Sequence, residues 1–473
     1  MRQARLFIGG AWQDGGHTTD LTDKFDGRKL ADVHEADRAQ VDEALDAVAR
    51  AQRETTLPHY DRYLVLSRAA GLIADRADRF VETVVDDTGF TLSDARREVE
   101  RAVQTMTISA EEAKRIHGEV VPLHGAPGVT GRTAFTVRHP LGVVCAITPF
   151  NSPLNTVVHK VGPALAAGNA VILKPSSLTP LSAGLLVETL LEAGLPEGLI
   201  SLVYGGGSTV GQWLLESPVP AFYAFTGSTG VGEHIIRTVG LRKTQLELGS
   251  LSSTIICDDA SLERAVAACT GAAFRKAGQV CTSVQRLYVQ CGVLEEFVAA
   301  LRDEVGSRGY GDPRGEGTLT GPVISASEAD RVHGWITSAV EAGAQLVTGG
   351  ERAGQVIAPT VLSEVDPKSD VMCREVFGPV VSVVPFDDLP AAIDQINDTP
   401  YGLAAGIFTA DLGNALTAAE NLRMGSVHIN ETSSSRVDLM PYGGVKDSGM
   451  GIEGPRYAIE EMTEQRLITI GRP

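Results

Sequence analysis

Cysteine is scarce in this chain and shows none of the spacings that bind metals. The cysteines are scattered over 473 residues without a Cys-x-x-Cys pair, at Cys145, Cys257, Cys269, Cys281, Cys291 and Cys373. In a long chain this scatter argues against both a disulfide framework and a zinc site. We therefore expect no metal centre, and we expect most of the cysteines to be small buried hydrophobic residues.

Basic clusters and long apolar runs are also missing. The formal net charge is −18 and no Lys/Arg cluster stands out, which argues against a nucleic-acid-binding or membrane-binding protein. Apolar stretches such as Val289–Ala299, with its embedded acids, are too short to span a membrane. The segment Met1–Trp12 lacks the apolar core of a secretory signal and is expected to be a strand. These absences predict a cytoplasmic protein without nucleic-acid or membrane partners.

The chain does contain alternating helical and strand patterns. Helical periodicity first appears at 41–53, 63–86 and 93–116. Short runs rich in β-branched residues follow at Leu141–Thr148 and Ala170–Leu173, with a predicted helix at Leu154–Ala167 between them. A second α/β stretch covers about 254–429, and Val121–Arg138 is predicted to leave the fold as a hairpin. Repeated βα units predict an α/β protein with a doubly wound sheet and, at this length, two or more domains.

Short polar or glycine-rich motifs follow several of the predicted strands. They are Lys174-Pro175-Ser176-Ser177, Gly205-Gly206-Gly207 and Phe225-Thr226-Gly227-Ser228. A strand that leads through a glycine-rich turn into a helix is how α/β folds hold a pyrophosphate. The G-x-G-x-x-G motif is absent, however, so a nucleotide site and ordinary turns both stay open on this evidence.

Cys281 differs from the other cysteines in its setting. It lies in the polar, glycine-containing stretch Phe274–Ser283, whereas Cys145 and Cys257 lie in apolar surroundings. A free thiol is only a few per cent ionised at neutral pH, so a nucleophilic cysteine needs electrostatic support or a partner base. Glu247, at the end of an apolar run, is a candidate base. A packed cysteine and a solvated acid are the simpler interpretations of these residues taken singly.

Several motifs in the chain occur in the order and spacing of a known family. They are Thr148-Pro149-Phe150-Asn151, Lys174-Pro175-Ser176, Phe225-Thr226-Gly227-Ser228, Glu247-Leu248-Gly249, Gly278-Gln279-Val280-Cys281-Thr282 and Glu375-Val376-Phe377-Gly378-Pro379. Together they resemble the aldehyde dehydrogenase superfamily over nearly the whole chain. The resemblance implies an enzyme that uses NAD or NADP to oxidise an aldehyde to a carboxylic acid.

The resemblance also implies the catalytic roles. Cys281 would attack the aldehyde to give a thiohemiacetal and then an acyl thioester. The side-chain amide of Asn151 and the backbone N–H of Cys281 would form the oxyanion hole. Glu247 would activate the water that hydrolyses the thioester. Many family members have Gly-Lys after Glu-Leu-Gly where this chain has Ser250-Leu251, which we interpret as a local packing variation.

The cofactor residues are likewise implied by the resemblance. Lys174 would hold the adenosine ribose, Ser228 would lie near the pyrophosphate, and Glu375 and Phe377 would position the nicotinamide ribose and ring. The full predicted set is Lys174, Ser177, Gly207, Gly211, Phe225, Ser228, Glu375 and Phe377. NAD-preferring members usually have an acid where Ser177 stands. Without that carboxylate the 2′-phosphate of NADP is not repelled, so we expect NADP to serve at least as well as NAD.

Four basic residues suggest the substrate class. Arg101, His159, Arg286 and Arg436 resemble the anion-binding residues of the branch holding phosphonoacetaldehyde, non-phosphorylating glyceraldehyde-3-phosphate and lactaldehyde dehydrogenases. Arginine suits this task because its planar fork pairs with the oxygens of an acid group. We therefore predict a short aldehyde that carries a phosphonate or phosphate. Arg275 matches instead a position associated with succinate semialdehyde dehydrogenases, so a carboxylated aldehyde stays open, as does lactaldehyde.

The family resemblance implies a fold in three parts. A Rossmann-type cofactor domain would take residues 1–120 and 141–245, and an α/β catalytic domain residues 246–443. A small β flap would combine 121–140 with the tail 444–473. Such flaps pair between subunits, so we expect a homodimer or a homotetramer.

Other protein classes fit the sequence less well. Relatives that pass the acyl group to coenzyme A lack an acid at the position of Glu247. A non-catalytic binding or structural protein on this fold could lose Cys281, Asn151 or Glu247 without penalty, and this chain keeps all of them. An ordinary short-chain reductase would need a Tyr-x-x-x-Lys pair after an amino-terminal glycine motif, and we find no such arrangement.

Overall fold

The computed structural model describes residues 2–471, so Met1, Arg472 and Pro473 lie outside it. The helices, in chain order, are α1 (Arg38–Glu54), α2 (His59–Asp75), α3 (Ala77–Thr88), α4 (Leu92–Ala113), α5 (Asn155–Ala167), α6 (Leu181–Glu192), α7 (Gln212–Glu216), α8 (Thr229–Val239), α9 (Leu262–Phe274), α10 (Leu294–Gly306), α11 (Ala326–Glu341), α12 (Asp370–Cys373), α13 (Leu389–Asn397), α14 (Leu412–Asn421) and α15 (Pro455–Glu461). Within the described residues, no helix is both long enough and apolar enough to cross a membrane.

The strands are short, as in most α/β proteins. In chain order they are β1 (Arg2–Ala4), β2 (Leu6–Ile8), β3 (Ala11–Gln13), β4 (His17–Thr22), β5 (Lys29–Glu35), β6 (Val120–Val121), β7 (Arg132–Pro140), β8 (Val143–Ile147), β9 (Ala170–Lys174), β10 (Ile200–Leu202), β11 (Pro220–Thr226), β12 (Lys243–Glu247), β13 (Ser253–Ile256), β14 (Arg286–Gln290), β15 (Gly309–Tyr310), β16 (Thr318–Thr320), β17 (Gln345–Thr348), β18 (Arg352–Ala353), β19 (Val356–Ile357), β20 (Thr360–Ser363), β21 (Val380–Phe386), β22 (Tyr401–Gly402), β23 (Ala404–Phe408), β24 (Ser426–Ile429), β25 (Val445–Lys446), β26 (Gly449–Met450) and β27 (Thr463–Gly471).

The larger of the two main sheets has eight strands in the order β26-β12-β11-β8-β9-β10-β2-β3. Its central strands, from β12 to β10, are all parallel to one another. The chain builds outward from β8 to β10 on one side and then from β11 to β12 on the other. This reversal makes β8 the topological switch point of a Rossmann-type sheet, where α/β proteins bind ligands at the carboxyl ends of the strands. The predicted doubly wound sheet is confirmed.

The second main sheet has seven strands in the order β17-β20-β21-β14-β13-β23-β24. A small third sheet, β27-β7-β6, contains the predicted hairpin. The carboxyl-terminal segment is divided between sheets, because β26 pairs with β12 in the large sheet and β27 pairs with β7 in the small one. The flap predicted from 121–140 and 444–473 therefore takes only the last part of that segment. The division into three domains stays a prediction.

Two local expectations are wrong. The helical pattern at 63–86 is interrupted at Arg76, whose non-helical backbone (φ −114°, ψ 24°) separates α2 from α3. The guanidinium of Arg76 there donates to Glu192 at the end of α6, with Nη1 2.8 Å from Oε2. Most cysteines were also expected to be buried, yet Cys291 and Cys373 are exposed and Cys281 is only partly buried.

Candidate active site

The carboxyl ends of the strands around the switch point open onto one large cavity. Its volume is about 1090 Å³. All of the residues predicted to bind the cofactor line it: Lys174, Ser177, Gly207, Gly211, Phe225, Ser228, Glu375 and Phe377. Asn151 and Cys281 line the same cavity, so the fold joins the predicted cofactor site to the predicted nucleophile.

One part of the cavity is lined by glycines and by the start of α8. Ser228 is the N-cap of this helix, and among residues 2–471 its side chain caps no backbone N–H. Gly230 and Val231 of the first helical turn border the cavity. Free first-turn N–H groups and the positive end of the helix dipole form a site for phosphate groups.

Lys174 and Ser177 lie where the adenosine end of a dinucleotide is expected. Lys174 is the last residue of β9, and burial lowers its pKa to about 8. A Cβ atom placed on Gly211 would lie 3.7 Å from Cε of Lys174, so a glycine leaves room beside the ammonium. The hydroxyl of Ser177 donates to the carbonyl of Gly205 at 3.0 Å. The carboxylate of Glu35 is near enough to oppose the lowering of the Lys174 pKa. A lysine and a hydroxyl at this place fit a ribose with or without a phosphate.

Glu375 and Phe377 border the cavity close to Cys281. Oε1 of Glu375 accepts the backbone N–H of Ser250 at 3.1 Å, and burial raises the pKa of Glu375 to about 7. Phe377 has a left-handed backbone (φ 47°), and its ring meets Phe150 edge-on with the centroids 5.7 Å apart. A carboxyl group next to an aromatic ring provides a hydrogen-bonding group for a ribose and an apolar surface for a planar ring. Together with the helix end and the glycines, these residues fit a nicotinamide dinucleotide.

Cys281 follows a loop of unusual backbone conformation. Lys276 and Ala277 both have φ of 53°, and Gly278 has φ of 69°. A Cβ atom on Gly278 would lie 2.1 Å from the carbonyl oxygen of Gly378, so only glycine fits at that position. Left-handed residues other than glycine each cost on the order of 1 kcal/mol or more. The loop therefore needs bonds from outside to hold it.

Two acids on α4 supply those bonds. Oδ2 of Asp94 accepts the backbone N–H of Lys276 at 2.9 Å. Oε2 of Glu98 accepts from the ammonium of Lys276 at 2.5 Å, and the same ammonium donates to the carbonyl of Asn151 at 2.9 Å. Oε1 of Glu98 accepts the backbone N–H of Leu154 at 3.0 Å. The residues before Cys281 and the residues after Asn151 are thus fixed to the same buried carboxylate.

The thiol of Cys281 has one side-chain partner in the described structure, the hydroxyl of Tyr442. Sγ and Oη lie 2.8 Å apart. Burial raises the pKa of Cys281 to about 11, an effect that the hydrogen bond with Tyr442 opposes. Asn151 lies on the loop between β8 and α5. Its Nδ2 donates at 2.9 Å to the carbonyl of Gln279, which lies on the loop that carries Cys281. An amide nitrogen carries two N–H donors, which leaves the second one for an oxyanion.

Glu247 is the last residue of β12 and only 3% exposed. Among the described residues, neither of its carboxyl oxygens has a hydrogen-bond partner. Burial and the neighbouring Glu453 raise the pKa of Glu247 well above its ordinary value. A buried carboxyl group without partners is costly, and it can accept a proton at higher pH than an exposed one can.

Behind Glu247 lies a set of charged and titratable side chains that we call the charged cluster. Its members are Arg101, His159, Lys160, Arg436, Asp438 and Glu453. The prediction that Arg101, His159 and Arg436 come together is thus matched by their placement, but they meet around two carboxylates. An open anion pocket formed by these residues is not what the structure contains.

The contacts in the charged cluster are short and specific. Asp438 accepts from Nη2 of Arg101 at 2.7 Å and from Nε2 of His159 at 2.9 Å. Glu453 accepts from Nζ of Lys160 at 3.3 Å and from Nη2 of Arg436 at 2.6 Å. Burial alone would raise the pKa of both acids, but these partners hold both pKa values well below their ordinary values. Both carboxylates are therefore ionised.

His159 is neutral in this setting. Burial lowers the pKa of His159 below its ordinary value, despite the neighbouring Glu453 and Asp438. Its Nδ1 has no hydrogen-bond partner among residues 2–471. Since a carboxylate can only accept, the tautomer with its proton on Nε2 fits the contact with Asp438. His159 therefore offers little positive charge to a substrate near pH 7.

Arg286 lies apart from the charged cluster, contrary to the predicted grouping. It begins β14, and its side chain donates from Nε to Oγ of Ser253 at 3.1 Å and from Nη2 to the carbonyl of Leu251 at 3.2 Å. It is 5% exposed and does not line the large cavity. Its guanidinium braces the loop after Glu247, and a substrate-binding role for Arg286 stays a prediction.

Arg275, in contrast, is close to Cys281 and has a different partner. Its Nη2 donates to Oγ of Ser434 at 2.7 Å, and Ser434 also lies 3.3 Å from Oγ1 of Thr282. In the part of the chain that the structure describes, Arg275 forms no ion pair with a carboxylate. Burial lowers its pKa, the nearby carboxylate of Asp94 opposes this, and the neighbouring cations Arg97 and Arg101 lower the pKa further. A cation in this environment gains from a negatively charged ligand.

Sequence reasoning did not assign roles to Lys160, Tyr442, Lys276 or Glu453. A usable signal existed for Lys160, which follows His159 in the otherwise apolar helix α5 and has a fully buried side chain. Tyr442 and Lys276 carry no local signal, because their roles depend on residues far away in the chain.

Comparison with known proteins agrees with this geometry. The Aldehyde dehydrogenase family matches residues 12–468. The 3-sulfolactaldehyde dehydrogenase of Priestia aryabhattai is 46% identical over 470 residues, which cover 99% of this chain and 98% of that protein. The Escherichia coli succinate-semialdehyde dehydrogenase (NADP(+)) GabD is 36% identical, with 99% of this chain and 98% of that protein covered.

A solved structure extends the likeness to three dimensions. The glyceraldehyde-3-phosphate dehydrogenase GapN of Methanocaldococcus jannaschii, complexed with NADP, superimposes with a TM-score of 0.92 at 34% identity. The match covers 97% of this chain and 100% of that one. GapN falls within the branch named from the sequence, so that resemblance is confirmed. The chain belongs to the aldehyde dehydrogenase family and is an NAD(P)-dependent oxidoreductase that acts on an aldehyde.

Proposed function

We propose that this enzyme oxidises a short aldehyde bearing one negative charge, in the first place a sulfonate, to the carboxylic acid. The observation that carries the proposal is Arg275, which lies near Cys281 and donates to Ser434 without an ion-pair partner among residues 2–471. A charge-assisted hydrogen bond to an acid group of the substrate would use this free cation. The relative that is 46% identical is named for such an aldehyde, 3-sulfolactaldehyde.

The charges around the site favour a monoanion over a dianion. Asp438 already neutralises Arg101, and the single charge of Glu453 is shared by Arg436 and the fully buried Lys160. His159 is neutral because burial lowers its pKa. A doubly charged phosphate or phosphonate would meet too little positive charge, whereas a sulfonate needs one cation and several hydrogen-bond donors. This balance moves the expected substrate from a phosphonate to a sulfonate.

A carboxylated aldehyde is the second candidate. It rests on the match of Arg275 to succinate semialdehyde dehydrogenases and on the relative GabD, which is named for that substrate. The hydroxyls of Ser434 and Thr282 add two donors beside Arg275. Three oxygens of a sulfonate can use all of these donors, whereas a carboxylate has two oxygens, so we rank the sulfonate first.

The proposed chemistry assigns each residue a step. The thiolate of Cys281 adds to the aldehyde carbon, and the oxyanion that forms is stabilised by Nδ2 of Asn151 and the backbone N–H of Cys281. The bound cofactor supplies the acceptor for the hydride that the carbon then loses. Glu247 takes a proton from water as that water attacks the acyl thioester. Its unpaired oxygens and raised pKa suit this task.

The cofactor site supports use of NADP as well as NAD. Lys174, Ser177, Gly207, Gly211, Phe225, Ser228, Glu375 and Phe377 would hold the dinucleotide along the cavity. Ser177 presents a hydroxyl where an acid would repel a 2′-phosphate. GabD and GapN, which are named or described with NADP, are relatives of this chain.

The assembly we propose is a homodimer or homotetramer. Strand β27 is an edge strand of the small sheet, and its Leu467 and Ile470 are each 57% exposed. Exposed apolar residues on a long free edge are a feature that another copy of the chain would cover. Light scattering coupled to gel filtration tests this, and Leu467→Lys should shift the protein toward smaller species.

A substrate panel tests the proposed function. Short aldehydes of equal length that carry a sulfonate, a carboxylate, a phosphonate or no acid should be compared by kcat/KM with NAD and NADP. We expect the sulfonate to be preferred, the carboxylate to come second and the neutral aldehyde to be poorest. Equal kcat/KM for the neutral and sulfonated aldehydes would overturn the proposal.

A further inference from the structure

Tyr442 is fixed by backbone hydrogen bonds to Glu453 and by a side-chain hydrogen bond with Cys281. It forms an isolated bridge with Glu453, in which each residue accepts the backbone N–H of the other. The side chain of Tyr442 is buried, and its hydroxyl Oη forms a hydrogen bond with Sγ of Cys281 at 2.8 Å. The backbone bridge thus positions the phenol hydroxyl next to the sulfur of Cys281.

One face of the Tyr442 ring packs against a cation. The guanidinium carbon of Arg436 lies 3.7 Å from the ring centroid of Tyr442. Arg436 is itself held by Glu453, with Nη2 2.6 Å from Oε1. A cation over an aromatic face withdraws electron density from the ring, which makes its hydroxyl a stronger donor. Glu453 therefore fixes both the phenol and the cation that polarises it.

We propose that Tyr442 is a catalytic residue that donates a hydrogen bond to the Cys281 thiolate. Burial raises the pKa of Tyr442 well above its ordinary value, so the phenol stays protonated and available as a donor. A donor to the ionised sulfur favours the thiolate over the thiol and offsets the effect of burial on Cys281. This inference rests on the proposed role of Cys281 and adds a residue that the family motifs in the sequence did not indicate.

The same bond would act again when the product leaves. As the tetrahedral adduct of water and thioester collapses, the carbonyl re-forms and the carbon–sulfur bond breaks. Its electron pair returns to sulfur, while the proton from water has passed to Glu247. The hydroxyl of Tyr442 then stabilises the departing thiolate. Tyr442 would thus support both the attack and the release of Cys281.

The reactivity of Cys281 in the full enzyme tests the proposal without a substrate. The rate of alkylation by iodoacetamide should be followed against pH, with the alkylated peptide identified by mass. Other charged groups that act on Cys281 or Tyr442 are Glu247, Arg275, Glu375 and Arg436, and all of them stay unchanged in the variant. Tyr442→Phe should raise the apparent pKa of Cys281 and slow alkylation at pH 7 about tenfold, as expected for one hydrogen bond to a charged group.

A control variant and a second substitution at position 442 complete this test. Tyr288→Phe removes the hydroxyl of another buried tyrosine that has an arginine near its ring, Arg286 at 5.8 Å, and should leave the alkylation profile unchanged. Incorporation of 3-fluorotyrosine at position 442 keeps the shape and strengthens the donor, so the apparent pKa of Cys281 should fall. It also replaces the phenylalanine variant should that variant fail to fold.

The outcomes separate this proposal from the proposed function. An alkylation profile that neither change at position 442 shifts would overturn the role of Tyr442, while loss of activity on alkylation would still support Cys281 as nucleophile. Alkylation of Cys281 that leaves turnover intact would instead overturn the role of Cys281, and with it the proposal for Tyr442.

Discussion

The ammonium of Lys276 lies 2.5 Å from Oε2 of Glu98, and this buried pair fixes the left-handed loop before Cys281 to α4. Because Glu98 also accepts the N–H of Leu154, one carboxylate holds both the nucleophile loop and the start of α5. Removing one member of such a pair leaves the other charge buried without a partner.

A first prediction follows from that pair. Glu98→Ala should lower the free energy of unfolding by about 3–5 kcal/mol, because it leaves the ammonium of Lys276 buried without its carboxylate. Denaturant unfolding measures the change. Glu100→Ala, which removes an exposed acid from the same helix, should change it by less than about 0.5 kcal/mol. Equal stabilities for the two variants would show that the pair does not hold the loop.

A second prediction separates the two halves of the proposed reaction. Cys281→Ala should abolish oxidation and leave cofactor binding intact, since the cavity keeps its other lining residues. Glu247→Gln should still give a burst of reduced cofactor in the first turnover and then stall, because water is no longer activated. Stopped-flow absorbance and the mass of the Cys281 peptide report these steps. A Glu247→Gln enzyme that turns over at the wild-type rate would remove Glu247 from the mechanism.

A third prediction concerns the cofactor. Ser177→Glu should weaken NADP binding while changing NAD binding little, because a carboxylate repels the 2′-phosphate. Fluorescence titration with each reduced cofactor gives the two Kd values. Ser177→Gln introduces a side chain of the same size as glutamate but without its charge, so it should weaken NADP binding much less. Equal losses of NADP affinity in the two variants would indicate a steric effect only.

A fourth prediction tests the anion site. Arg275→Met should lower kcat/KM for a sulfonated or carboxylated aldehyde about ten- to a hundredfold, the effect of losing one charge-assisted hydrogen bond. The same variant should leave a neutral aldehyde of equal length nearly unaffected. Arg286→Met, in contrast, should reduce stability and affect all aldehydes alike, since Arg286 braces the loop at Leu251. The anion site would be elsewhere if Arg275→Met reduced all substrates equally.

A fifth prediction concerns pH and Glu375. Burial raises the pKa of Glu375 from 4.5 to about 7 in the folded protein, so the folded state binds its proton more tightly than the unfolded state. Its contribution to stability is greatest below pH 4.5 and is lost as the pH rises through 7, a loss of roughly 3 kcal/mol. Glu375→Gln should remove this dependence, so wild type and variant should diverge in unfolding free energy between pH 4.5 and 7. Parallel curves would contradict the shift.

The sequence predicted regular elements well where their pattern is local. The helix predicted at Leu154–Ala167 is α5, which begins one residue later at Asn155, and the strands predicted at Leu141–Thr148 and Ala170–Leu173 are β8 and β9 with ends shifted by at most two residues. The break at Arg76 was missed because no glycine or proline marks it in the sequence.

The site could be predicted only where motifs carried it. Cys281, Asn151 and all the predicted cofactor residues except Gly211 lie in short motifs, and they line one cavity, while their roles stay proposals. The resemblance grouped Arg286 with the other anion-binding residues, but it could not show that this guanidinium donates to Ser253 and Leu251. The pairing of Arg101 with Asp438 could not be foreseen, since it joins a helix to a distant loop.

The pairing of β26 with β12 bears on how the enzyme matures during translation. Glu247 pairs with Gly449 in that ladder, so the candidate base is held by a strand that is synthesised long after β12. The strands β8 to β12 leave the ribosome first. The edge of β12 is then unpaired while the segment between β12 and β26 is still being synthesised. We therefore expect the nascent chain to become active only after the segment that contains β26 has returned to that edge.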